Sequence, residues 1–213
     1  MKRLNTLTIA LMPIAIVLNI VIGYLVGTVL KLPLYLDSLG TILVGALAGP
    51  LAGGVTGLLS NVIWTLITSS TASWFAVVAA LVGVMPGIFG ARGWLQGLGR
   101  TALAGILTGI VAAIVAGLIQ AFLLGGISGG GTDALTAFYL NQFGDPTVAS
   151  LLQSLTVDPI DKLIQFVAFF FLIRSLPRRL LVRFPQGKLV APPMVAPPIT
   201  DAYHKRTIGP KED

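Results

Sequence analysis

The sequence predicts an all-α membrane protein, a six-transmembrane-helix bundle whose second and third helices are short. Three observations lead there. Of 213 residues, 55% are hydrophobic and 10% charged, with a mean hydropathy of +0.90, whereas a soluble domain carries roughly 25% charged residues. The apolar residues fall in blocks, several long enough to cross ~30 Å of hydrocarbon. With six blocks counted, the cations sort to one side of them.

The first block, Leu7 to Leu30, follows Lys2 and Arg3. It exceeds the ~7–15 residues of a signal-peptide apolar region, so it reads as an uncleaved first span. The chain is then organised around the stretch YLDSLGTILVGALAGPLAGGVTGLLSN, from Tyr35 to Asn61. One charge, Asp37, stands at its start, and Gly45, Gly49, Gly53 and Gly57 fall four apart. Gly49-Pro50 divides it, because proline lacks a backbone donor and turns the preceding residue away from helix. The second span is therefore about 38–49 and the third about 51–68. At ~12 residues the second is only ~18 Å long, a length tolerated when neighbouring protein surrounds it. A fourth span, about 72–90, lies between the polar run TSSTAS and ARGW. The fifth is about 101–125, with small residues at every fourth position from Thr101 to Gly125. Such faces let backbones approach closely, within the chain or against a partner membrane protein.

The long loop at 126–157 opens with GGISGGGTD, a hinge-like run. A short helix follows, capped by Thr132, and a second opens at the N-cap Asp145 with Pro146 at N1. This pair suits either an interfacial position or a lid. The sixth span is about 159–176. Asp158 stands as its N-cap, Pro159 at N1 and Lys162 within ion-pair reach of Asp158. Residues 1–183 thus form the six-helix domain. Residues 184–213 are Pro-rich and polar, which predicts a disordered cytoplasmic tail.

Charge placement sets the orientation. Of the 14 Lys+Arg, all but Lys31 and Lys162 fall on the side of the two termini. The positive-inside rule makes that side cytoplasmic. Asp37, Asp133, Asp145, Asp158 and Asp161 all lie outside. The arginine cluster from Arg174 to Arg183 is a topology signal and a contact for anionic lipid, so the net charge of +6 calls for no nucleic acid.

Several chemistries are excluded. The chain has no cysteine and one histidine, His204, so thiolate and multi-histidine metal sites are out. No phosphate-binding GxxxxGK[ST] loop occurs. No nucleophile is set beside a base, so no catalytic residue and no cofactor are expected. The remaining candidates gather at the outer ends of the spans. Tyr35, Asp37, Asn61, Trp64, Trp74, Asp158, Asp161 and Gln165 are the expected substrate-binding residues. Asp37 and Asp158 equally suit plain helix capping, and the aromatic residues suit an interfacial belt. Five outer aspartates and nearby aromatics favour a flat, neutral or cationic heterocycle over an anion.

The segment LPLYLDSLGTILVGALAGPLAGGVTGLLSNVIW, together with VDPIDK before the last span, resembles the substrate-binding S component of energy-coupling factor (ECF) transporters. The resemblance covers residues 7–183. It implies capture of a vitamin or related micronutrient at the outer face of a bacterial or archaeal plasma membrane. It also implies a transmembrane coupling protein and two cytoplasmic ATPase subunits as partners. The family's small-residue docking motif is matched most nearly by Ala10 and Ala15, without its strict spacing. A membrane ligand-sensing receptor module without transport is the alternative.

Overall fold

A computed structural model describes residues 5–30, 32–68 and 70–192. Every regular element among them is helical. Helix α1 (Thr6–Gly23) is capped by Asn5, whose side chain accepts from the Thr8 N–H at 2.8 Å. It runs on as a π-helical turn, Tyr24–Val29. Helices α2 (Leu39–Ala48) and α3 (Pro50–Thr68) form the hairpin. Gly49 makes their turn at φ 107°, a conformation that favours glycine, and Pro50 starts α3 with its φ already helical. A 3-10 turn, Ala72–Phe75, leads into α4 (Ala76–Ala91), and a second, Trp94–Gln96, precedes α5 (Leu98–Leu124). Then come α6 (Asp133–Phe143), α7 (Pro146–Ser175), α8 (Arg178–Leu181) and α9 (Gly187–Val190).

Four helical stretches are long and apolar enough to cross a membrane: Thr6–Val29, Pro50–Thr68, Ala72–Ala91 and Leu98–Leu124. The outward surface is apolar too, with Ile14, Leu66 and Phe122 all more than 60% exposed, as suits lipid contact. This is a multi-pass, membrane-embedded architecture. Helix α2 has 10 residues, and α7 carries Asp158, Asp161, Lys162 and Arg174 along its length.

Glycines set the helix spacing. A Cβ on Gly53 would fall on the Gly83 carbonyl, and one on Gly83 would fall on the Gly53 carbonyl. Gly45 and Gly57 meet the backbone of α4 in the same way. On α5, the small face lies against α7: a Cβ at Gly105 would come 2.9 Å from the Lys162 carbonyl, and one at Gly109 2.5 Å from the Pro159 Cα. The small residues of α5 therefore pack within the chain.

Four sequence expectations are corrected. The third span, expected short, is α3, whose 19 residues are long enough to cross a membrane. Asp158 does not cap a sixth helix at 159. The segment expected as a separate short helix and the sixth span are one helix, α7, with Pro159 inside it. Pro159 forgoes one helical hydrogen bond, and close packing on Gly109 holds the helix through it. The true N-cap is Asp145, which accepts from the Thr147 and Val148 N–H groups. Those two donors hold its carboxyl below the usual carboxylate range. Nor is the start of the tail disordered. Phe184, Val190 and Ala191 are buried in the main core. Gln186 donates its backbone N–H to the Leu47 carbonyl at 2.8 Å. Residues 193–213 lie outside the described residues. Finally, Ala15 is not free for a partner. It is 1% exposed because α2 crosses it at Gly40, where a Cβ would strike the Ala15 carbonyl. Ala10 is exposed.

Candidate functional site

The basic residues and α8 and α9 gather at one end of the bundle. There Arg174 donates to the Gln96 carbonyl at 2.6 Å, and Asn5 to the Arg183 carbonyl at 2.8 Å. The opposite end holds a cavity of about 490 Å³, within the usual range for small-molecule sites. Its apolar side comes from α4, the turn before it and α5, with Phe75, Val78, Val82 and Ala116. The π-helical end of α1, the chain leading into α2, α3, the Gly129–Gly131 run and α7 complete it.

Of the expected site residues, Tyr35, Asp37, Asn61, Trp64 and Asp158 line the cavity. Asp161 and Gln165 stand behind the wall and build it. Asp161 is fully buried and accepts from the backbone N–H groups of Tyr35 and Leu36 at 3.1 and 2.8 Å. It also accepts from Gln165 Nε2 at 2.8 Å and Lys162 Nζ at 2.6 Å. Gln165 Oε1 accepts from the Ser38 N–H at 2.8 Å. Leu36 needs this clamp, because its φ of 48° lies in the left-handed region, a strain of about 1–3 kcal/mol for a residue other than glycine. Trp74 points away from the cavity and is 52% exposed, the position of an interfacial aromatic.

Neither Asp37 nor Asp158 caps a helix. The N-cap of α2 is Ser38, whose hydroxyl donates to Asp37 Oδ1 at 2.9 Å. Lys162 Nζ lies 3.9 Å from Asp37. The expected Asp158–Lys162 pair does not form. Lys162 turns to Asp161 instead, and Asp158, 4% exposed, has no hydrogen-bond or ion-pair partner among the described residues. Asn61 donates its side-chain amide to the Ala72 carbonyl at 3.1 Å, tying α3 to the turn before α4. The Tyr35 hydroxyl bonds Thr132 Oγ1 at 3.1 Å. Desolvation of that phenol, with Asp158 acting in the same direction, raises its pKa above the ordinary tyrosine range.

Three contributors escape a sequence reading. Gly23 lets Trp64 and Asp37 meet over α1: a Cβ there would sit 2.7 Å from the indole and 2.9 Å from the Asp37 Cβ. Asn19, 2% exposed, accepts from the Gly40 N–H and donates to Thr41 and Ser60 hydroxyls, all within 3.0 Å. It joins α1, α2 and α3 below the cavity. Both lie on the first span, where Ala15, Asn19, Gly23 and Gly27 fall four apart, a spacing that signals packing alone. The third is Thr71, whose hydroxyl donates to the Ser128 carbonyl at 2.7 Å and holds the glycine-rich run against the cavity rim. Asp133 grips the same run, accepting from the Ser128 and Gly129 N–H groups.

No protein-family model matches the chain, and no curated protein matches it.

Proposed function

We propose that this chain is the membrane-embedded substrate-capture subunit of an ECF-type importer. It binds a vitamin or related micronutrient at the extracellular side. It then delivers it inward with a transmembrane coupling protein and two cytoplasmic ATPase subunits. The observation that carries this reading is the cavity itself: mostly apolar, with Asp37, Asp158 and Lys162 on its wall, and set at the end of the bundle away from the arginines. The positive-inside rule makes the arginine end cytoplasmic and the cavity end extracellular. In this reading α2 and the inner part of α7 join the four long apolar helices to give six crossings of a bacterial or archaeal plasma membrane. With 30 residues, α7 extends ~45 Å, so its first turns and α6 rise above the hydrocarbon.

The chain offers no means of its own to hydrolyse ATP by a phosphate-binding loop. A capture subunit therefore draws on a partner. Affinity purification of the tagged chain from its native membrane tests this. An importer subunit brings down a second membrane protein and two ATPases. Recovery of a histidine kinase or other signalling protein in their place supports a ligand-sensing receptor and refutes the importer reading.

A further inference from the structure

The charge balance of the cavity indicates what it holds, an inference that rests on the capture reading above. Asp158 lines the cavity from a position 4% exposed, and among the described residues its carboxylate accepts no hydrogen bond and forms no ion pair. A carboxyl in that position is costly to ionise unless a cation partners it. A helix that packs this closely on α5, at Gly109, fixes the side chain there. Lys162 also lines the cavity, but its ammonium is directed to other groups. Its ammonium is 2.6 Å from Asp161, 3.4 Å from Ser38 Oγ and 3.9 Å from Asp37. Asp37, Asp158 and Asp161 thus share one ammonium, and the acid left without a contact, Asp158, lies on the cavity wall. Trp64 adds an indole at the same level, and aromatic faces attract cations. Among the described residues no group of three metal-ligating side chains converges, so the arrangement suits an organic cation.

We propose that the cavity takes a flat organic cation bearing N–H donors, an amidinium or protonated aminoheterocycle, with Asp158 accepting its hydrogen bonds. Asp158 is then the specificity-determining residue. Asp161 and Lys162 are the fixed pair that shapes the wall beside it.

Benzamidine, benzamide and benzoate share a ring and differ in charge. Each is titrated calorimetrically into the full-length protein in detergent, as wild type and as Asp158→Asn. Benzamidine is expected to bind at least about tenfold tighter than benzamide, with benzoate weakest, since a charge-assisted hydrogen bond outweighs a neutral one. In Asp158→Asn the preference collapses. Equal binding of the three, a preference for benzoate, no binding of benzamidine, or a preference that survives Asp158→Asn each overturns the proposal. The wild-type series decides even where the variant fails to fold. The capture reading fails separately: a tightly bound anion purified with the protein removes the cation inference and leaves capture intact, whereas a chain that binds no small solute removes both.

Discussion

Two aspartates three residues apart on α7 should respond to mutation differently, one with a large loss of stability and one with none. Asp161 is fully buried and accepts four hydrogen bonds, from Tyr35, Leu36, Lys162 and Gln165. Asp161→Ala leaves the Lys162 ammonium buried, with Ser38 Oγ at 3.4 Å and Asp37 at 3.9 Å as its remaining partners. Breaking a buried pair in this way costs about 3–5 kcal/mol. It also releases the strained Leu36 turn that the carboxylate holds. For a chain of this length each kcal/mol moves the melting temperature by roughly 2–4 °C, so a fall of about 6–20 °C is expected. Asp158 is almost as buried and has no partner among the described residues. Asp158→Asn keeps its shape and replaces an acid that has no partner to lose, so the substitution breaks no contact. The melting temperature of the ligand-free protein then holds or rises. Both variants are read by far-UV circular dichroism in detergent, with intrinsic tryptophan emission as a second probe. Equal losses in the two would refute the assignment of Asp161 as the wall's anchor and Asp158 as the cavity's recognition group.

Other positions test the framework. Gly83→Ala places a methyl group on the Gly53 carbonyl, and overpacking of about 1–3 kcal/mol should lower the melting temperature. Asn19→Ala leaves the Gly40 N–H buried without its acceptor, a loss of about 1–3 kcal/mol in the same assay. Gly109→Ala meets Pro159 and displaces α7 beside Asp158, so it should reduce binding of benzamidine more than it reduces stability; unaltered binding would detach α5 from the site. Asp37→Asn should weaken retention of a co-purified small molecule by more than tenfold in a protein that still inserts and purifies, and unchanged retention would leave Asp37 a purely structural residue.

Much of the helical framework is legible in the sequence because lipid imposes simple rules. Apolar blocks must be helical, Gly49-Pro50 must turn, and glycines four apart must face another backbone. The boundaries of α2 and α3 follow within a residue or two. Asp145-Pro146 and Asp158-Pro159 carry the same local signal, yet only the first starts a helix. Gly144, in the left-handed region, ends α6 just before Asp145, whereas Thr156 and Val157 carry the helix into Asp158, where it packs on α5. The site was legible as a neighbourhood and not as a set of contacts. Tyr35, Asp37, Asn61, Trp64 and Asp158 meet at one cavity, but which aspartate Lys162 pairs with depends on side-chain direction along α7. An i,i+4 spacing favoured Asp158, while the chain before α2 draws Asp161 and Lys162 together. Gly23 was legible only as a small residue, because its role depends on where the Trp64 ring lies.

Native mass spectrometry of the full chain, purified in mild detergent from cells grown in rich medium, tests the capture of a small solute most directly. The account predicts a second species heavier than the bare chain by one small cationic molecule. That species is depleted in Asp158→Asn and kept in Gly99→Ala, where a Cβ would meet nothing within 4 Å. A wild-type chain that stays bare, also after incubation with a concentrated extract of the medium, would contradict it.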